Sequence, residues 1–237
     1  MKEQLPKNYK HLFFDLDHTL WDFEQNAKET LMDVYEHYQL QEKMEITFDH
    51  FHTSYRHHNA TLWARFEKGF ISIEELKWKR MWRTLLDFKI GDEPLARNMS
   101  QQFIDWLPTK TALFPHTIES LEYLIENKYK LHLITNGFSK TQELKLKNSG
   151  IDKFFLECIT SEKSNSMKPK KEIFDFALQI TGAKLEESIM FGDNLHADIK
   201  GANDAGMDSV FVNHINDPSP HEATFSITHL SEIRDLF

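Results

Sequence analysis

Cysteine is nearly absent. Cys158 stands alone in 237 residues, so neither an intrachain disulfide nor a thiolate metal cluster can be built, and a reducing cytoplasm is the expected home. Basic charge is short as well. The 28 Lys and Arg against 37 Asp and Glu leave a formal net charge of -9, which argues against a nucleic-acid partner, since that needs a basic stripe to neutralise phosphates. A small anionic substrate is still admitted, because a local cation or lysine can reverse the field inside a cleft. No hydrophobic run approaches bilayer-spanning length and residues 1–10 carry no apolar signal core, so no membrane partner is expected. Internal repeats and low-complexity segments are lacking too. What remains is the composition of an ordinary soluble globular chain, 40% hydrophobic and 27% charged, long enough for one core plus a smaller inserted domain.

The most informative stretch is Asp15-Leu16-Asp17-His18-Thr19, which follows the apolar run Leu12-Phe13-Phe14. It places two carboxylates two residues apart where a buried strand breaks into a loop. Two ionised carboxylates about 4 Å apart repel by roughly 4 kcal/mol at an effective dielectric of 20, so something must offset them. Hard oxygen ligands of this kind suit Mg2+. An ordinary turn is the alternative, since Asp and Thr are common there.

Beyond Thr19 the periodicity becomes helical and stays so to about residue 111, with an amphipathic helix over 30–38 and a capping box at Ser72-Ile73-Glu74-Glu75 opening a helix towards Phe88. This stretch holds all five tryptophans. From Phe114 onward strands alternate with helices, the signature of βαβ units. Strands are expected at 130–135, 158–160, 189–191 and 209–212. Helices are expected at 139–149, 171–180 and in a segment ending near Gly206. Ser231 is read as the cap of a last short helix and 216–220 as a surface loop. The predicted fold is therefore α/β: a doubly wound, mostly parallel sheet formed by residues 1–21 and 113–237, interrupted by an all-helical domain over 22–112.

In such a sheet ligands bind outside the carboxyl ends of the strands, where helix N-termini converge. Asp15-x-Asp17 follows the first strand, Thr135-Asn136-Gly137 the next, and Gly192-Asp193-Asn194-Leu195-His196-Ala197-Asp198 the strand at Ile189, while Lys168-Pro169 opens a helix after the strand at Cys158. Each has a plain alternative. Asn-Gly is the favoured hairpin dipeptide, a lysine in the basic stretch 163–171 is usually solvated, and one of Asp193 and Asp198 could be a helix N-terminal acid.

Taken together, the motifs resemble the haloacid dehalogenase superfamily: Asp15-x-Asp17-x-Thr19 its first motif, Thr135 its second, Lys168 its third, and Gly192-Asp193 with Asp198 its fourth. Ile134-Thr135-Asn136-Gly137-Phe138, Lys168-Pro169-x-Lys171-x-Ile173-Phe174-Asp175 and the helical insertion are similar to its pyrimidine 5'-nucleotidase-like branch. His18 departs from the glycine often found there. The resemblance implies an Mg2+-dependent phosphate monoester hydrolase in which Asp15 is the nucleophile and Asp17 the general acid and base. It implies metal binding by Asp15, the backbone carbonyl of Asp17, Asp193 and Asp198. Thr135, the Asn136 amide and Lys168 would hold the phosphoryl group. The helical insertion is expected to act as a lid, offering Trp63, Arg65 and Phe66 to a nucleotide, although aromatics at helical spacing commonly pack a core. A sugar-phosphate phosphatase or a phosphomutase is the alternative. A 2-haloacid dehalogenase is disfavoured by Asp17, since a departing halide needs no proton, and a non-enzymatic binding module by the full set of catalytic residue types.

Overall fold

The computed structural model describes residues 8–219 and 222–237. Most of the polar N-terminal stretch and Pro220 lie outside them. Two compact units are present: the residues up to Phe23 together with Thr111–Phe237, and Glu24–Lys110.

The first unit is an α/β layer structure. Among the described residues its strands are β1 (His11–Phe14), β2 (Lys130–Thr135), β3 (Phe155–Thr160), β4 (Ser188–Gly192), β5 (Asp208–Val212) and β6 (Phe225–Ile227). They form one sheet in the order β3-β2-β1-β4-β5-β6, with every neighbouring pair parallel. The chain runs outward from β1 through β2 to β3, then crosses back to β4 on the other side of β1. That reversal opens a crevice at the carboxyl ends of β1 and β4. β1 is buried along its whole length, which is why it reads as an apolar run without alternation. Phe13, Ile134, Ile159 and Met190 pack with Ile173, Phe174 and Ala177. The last three belong to the helix Lys171–Thr181, which ends at Gly182 in the left-handed conformation, φ 63°. Phe14 stacks on Phe191, ring centroids 4.5 Å apart. A fully buried Phe contributes about 1.5–3 kcal/mol, so these rings hold β1 in register.

The second unit is all-helical: α1 (Phe23–His37, from its second residue), α2 (Leu40–Met44), α3 (Phe48–Glu67), α4 (Ile73–Asp87) and α5 (Glu93–Trp106). α4 opens with the expected capping box, the Ser72 hydroxyl accepting from the Glu75 amide at 3.1 Å and the Glu75 carboxylate accepting from the Ser72 amide at 3.0 Å. Asp92 caps α5 by accepting from Leu95 N at 2.9 Å. Phe51, Tyr55, Leu62, Leu76, Met81, Leu85, Met99 and Phe103 are buried.

Several local expectations are corrected. α1 starts at Phe23, earlier than residue 30, because its buried face includes Asn26 and Thr30, whose polarity masks the apolar period. The Thr30 hydroxyl donates to Asn26 O at 2.8 Å, so burial leaves it satisfied. β3 begins at Phe155, ahead of Cys158, since Leu156 and Glu157 lie exposed on an edge strand. β6, three residues long, carries too little pattern to be read. Ser231 is not a cap: it sits inside the turn Leu230–Glu232, and the amides of Thr228 and His229 are taken by the Glu232 carboxylate at 2.9 and 2.8 Å. Trp21 belongs to the α/β unit, fully buried and bridged to Asp17 and Leu113.

Candidate active site

The loop after β1 sends its two acids in different directions. The Asp15 amide donates to Phe191 O at 2.8 Å, continuing the β1–β4 ladder. Directly after it the chain turns. Leu16 O accepts from the amides of Leu20 and Trp21 at 3.0 and 2.9 Å, and His18 takes a left-handed φ of 65°. That backbone favours glycine, which gives a physical meaning to the residue type His18 replaces. Thr19, fully buried, donates to Asp193 Oδ1 at 3.0 Å and accepts from the Asp193 amide at 3.1 Å. It ties the loop after β1 to the loop after β4.

Past Gly192 the chain enters a π-helical turn, Leu195–Lys200, a form found often at functional sites. Asn194 caps it, its side-chain oxygen accepting from His196 N at 3.0 Å and Ala197 N at 2.9 Å. Asp198, fully buried, thereby folds back so that its Oδ2 accepts from Asn194 N at 3.0 Å. Glycine is required at 192, because a Cβ there would lie 2.3 Å from Asp198 Cγ.

Lys168 is buried, not solvated. Its ammonium donates to Asp15 Oδ1 at 2.6 Å and to Ile134 O at 2.7 Å, and it pairs with Asp198 Oδ1 at 2.6 Å. The Asn136 side chain clamps the Lys168 backbone, accepting from its amide at 2.8 Å and donating to its carbonyl at 3.0 Å. Asn136-Gly137 is therefore no hairpin: it joins β2 to α6 (Ser139–Asn148) and holds the lysine loop in place.

Asp15, Asp193 and Asp198 each offer an oxygen, and these lie within 4.8 Å of one another. Burial pushes the Asp15 carboxyl up to about 8, with Asp198 and Asp193 adding to the rise and Lys168 opposing it. Burial and Asp198 likewise lift Asp193 to about 7, against the Thr19 hydrogen bond. Burial alone would lower Lys168, yet Asp15 and Asp198 outweigh it and hold the ammonium above its ordinary value. Three carboxylates thus share one cation. Hard oxygen donors, buried and short of positive charge, are the donor set that Mg2+ takes.

The Asp17 carboxylate stands outside this cluster. Its Oδ1 meets Lys145 Nζ at 2.6 Å and its Oδ2 accepts from Gln142 Nε2 at 2.9 Å. The repulsion expected between Asp15 and Asp17 is accordingly met in two places: Lys145 compensates Asp17, and the companions of Asp15 are Asp193 and Asp198. As for the expected metal ligands, Asp15, Asp193 and Asp198 come together, and Asp17 does not join them through its side chain. Gln142 Nε2 also donates to Thr135 Oγ1 at 2.8 Å, and Gly137 permits this approach, since a Cβ there would lie 2.4 Å from Gln142 Cδ. Sequence reasoning missed Gln142 and Lys145. Their signal was a polar i, i+3 pair on the helix that directly follows Thr135-Asn136-Gly137. Trp63, Arg65 and Phe66 lie near the end of α3 in the helical unit, where Trp63 and Phe66 pack edge to face at 5.8 Å.

Comparison with known proteins agrees with this geometry. The model of the haloacid dehalogenase-like hydrolases matches residues 9–206. The pyrimidine 5'-nucleotidase PynA of Streptococcus pneumoniae is 30% identical over 96% of this chain and 94% of its own. A glyceraldehyde 3-phosphate phosphatase of Methanothermobacter thermautotrophicus is 31% identical over 86% of this chain and 85% of its own. Among solved structures, the HAD-hydrolase YfnB of Bacillus subtilis, bound to magnesium, superposes with a TM-score of 0.85 at 28% identity, covering 97% of this chain and 99% of that one. The chain belongs to the haloacid dehalogenase-like hydrolases and is an enzyme of that family. No helix among the described residues is long and apolar enough to cross a membrane.

Proposed function

We propose that this enzyme hydrolyses phosphate monoesters through an aspartyl-phosphate on Asp15, with nucleoside 5'-monophosphates, pyrimidine nucleotides foremost, as substrates. The observation that carries the chemistry is the group of buried Asp15 and Asp198 with half-buried Asp193 around one lysine, beside a second acid, Asp17, on separate supports. An Asp15 oxygen attacks phosphorus and the ester P–O bond breaks. The departing alcohol oxygen takes its proton from the Asp17 carboxyl. Water then attacks the phosphorus of the acyl phosphate, giving a proton back to Asp17 and releasing inorganic phosphate and free Asp15. Thr135 and the Asn136 amide hold phosphoryl oxygens, and the Lys168 ammonium offsets charge on them and on Asp15. Asp15, Asp193, Asp198 and the Asp17 carbonyl are the groups that would hold Mg2+, which when bound supplies charge compensation to the phosphoryl oxygens.

The nucleotide assignment rests on the relative PynA and on the Ile134-to-Phe138 and Lys168-to-Asp175 motifs. A sugar-phosphate substrate is the second reading, favoured by the glyceraldehyde 3-phosphate phosphatase relative. Phosphate release with Mg2+ and with a chelator, screened over nucleoside monophosphates and sugar phosphates, separates the two. Preference for sugar phosphates would overturn the nucleotide assignment, and no Mg2+-dependent release from any ester would overturn the phosphatase. Trp63, Arg65 and Phe66 are the residues of the helical unit whose substitution tests substrate choice, each expected to shift KM among esters more than kcat.

A further inference from the structure

Both oxygens of the Asp17 carboxylate are engaged from a single helix. Lys145 takes Oδ1 at 2.6 Å and Gln142 takes Oδ2 at 2.9 Å. These two residues are three apart on α6 and project from one face. Gln142 is fully buried and Lys145 is 2% exposed. An ammonium removed from water costs several kcal/mol unless it is paired, and an apolar residue of similar size fills the same space without that cost. Packing therefore does not account for Lys145. Its position is explained by what it holds: Asp17 on one side, with the Trp21 ring 4.3 Å from its Nζ. Trp21 comes from the same short loop that carries Asp17, so the loop supplies both the acid and the aromatic cover of the cation that restrains it. Gln142 adds a second link, since the same Nε2 reaches Thr135 Oγ1 at 2.8 Å. The acid is thereby held at a set position relative to the proposed phosphoryl-binding hydroxyl, by a glutamine 125 residues away from it in sequence.

We propose that Gln142 and Lys145 are positioning residues that fix the Asp17 carboxylate relative to Thr135, so that it meets the oxygen of the departing alcohol. This rests on the phosphate monoester reading above. As the Asp15–phosphorus bond forms and the ester P–O bond breaks, an alkyl leaving oxygen must gain the proton that the Asp17 carboxyl carries for this step on Oδ2, the oxygen that faces the neutral Gln142 amide and not the Lys145 ammonium, whereas p-nitrophenolate departs without one. The two residues consequently matter for esters of ordinary alcohols and little for activated esters. General acid assistance is worth about 10²–10⁴-fold, and loss of one of two restraints is expected to forfeit about 100-fold of it.

The test compares kcat/KM, which covers the steps up to alcohol release, for p-nitrophenyl phosphate and for the alkyl ester best turned over in the screen, all with Mg2+. The proteins are the wild type, Lys145→Met, Lys145→Arg and Gln142→Met. Lys145→Met is expected to lose about 100-fold on the alkyl ester and less than about 10-fold on p-nitrophenyl phosphate, with Lys145→Arg restoring most of the loss. Gln142→Met, which keeps the length and leaves the cation in place, should show the same selective loss and serves if Lys145→Met does not fold. Equal losses on both esters, no loss, or a gain on the alkyl ester would overturn the positioning role while leaving the phosphatase intact. A wild type that releases phosphate from neither ester would overturn both.

Discussion

Asp15 and Asp17 are two residues apart, yet they occupy opposite electrostatic surroundings. Around Asp15, buried Asp198 and half-buried Asp193 join it in facing one ammonium, and burial, with the surplus negative charge adding to it, raises the carboxyl to about 8. Around Asp17 one carboxylate meets one ammonium and one amide, and the charges close. The first corner carries more negative charge than its lysine offsets, while at the second one acid meets one ammonium. A short loop separates these two chemistries only because it reverses at once, through the left-handed His18 and the amides converging on Leu16 O.

The contrast can be broken most severely at Asp15. Asp15→Asn is expected to lose at least about 10⁴-fold in kcat, in the range seen when a covalent nucleophile is removed. Its melting temperature should fall little, because the substitution relieves like-charge crowding and leaves Lys168 paired with Asp198. Normal turnover by the folded variant, read in the phosphate-release assay alongside thermal unfolding, would refute the nucleophile. Asp193→Asn should cost about 10- to 100-fold in Mg2+ affinity, measured by calorimetric titration independently of turnover, whereas Lys145→Met should leave that affinity nearly unchanged. An equal effect of the two substitutions on Mg2+ binding would erase the distinction between the corners.

Protons sharpen it further. Asp15 and Asp193 have folded values of about 8 and 7, above the ordinary 3.8, so the ion-free fold takes up protons as pH falls from 8 and gains stability towards 3.8. Mg2+ competes with those protons. Saturating Mg2+, about 100 times its Kd, should add about 2.7 kcal/mol where the acids are ionised. The gain in melting temperature should therefore be largest near or above about pH 8 and shrink by about pH 5.5. A gain independent of pH would contradict the crowded-carboxylate account.

The smallest effect belongs to the far side of β1, where His11 Nδ1 lies 3.0 Å from His132 Nε2. Burial, with His11 and Lys130 adding to it, lowers His132 to about 4. A folded value below the unfolded 6.5 means that stability is full above 6.5 and drains as pH falls towards 4, the opposite sign to the acids. His132→Leu should flatten this part of the pH dependence, by at most about 2 kcal/mol at about pH 5. An unchanged slope in thermal unfolding between neutral and mildly acidic pH would show that His132 takes up its proton alike in the folded and unfolded states.

Much of this is legible in the sequence. The alternation of strands and helices after Phe114, the buried run at β1, the Ser72 capping box and the Gly182 stop are local patterns, set by side-chain polarity and backbone freedom within a few residues. The acidic motifs stood out because carboxylates at strand ends have few structural uses. The first turns of α1 hide their apolar period because the buried face is polar there, with the Thr30 hydroxyl satisfied by the backbone carbonyl of Asn26, and β6 is too short to carry a period. The burial of Gln142 and Lys145 is not legible in the sequence, since nothing near them signals it.

The sequence by itself determined the strands, their C-terminal motifs and the excess of acid, because these follow from nearest-neighbour chemistry along the chain. Only the tertiary structure decided which acid stands with which cation. Asp15 met Lys168 across 153 residues and Asp17 met Lys145 across 128, pairings set by the crossover at β1 and by the reversal of one loop. Coulomb energy depends on distance and burial in space, and neither is written in the spacing of residues along the chain.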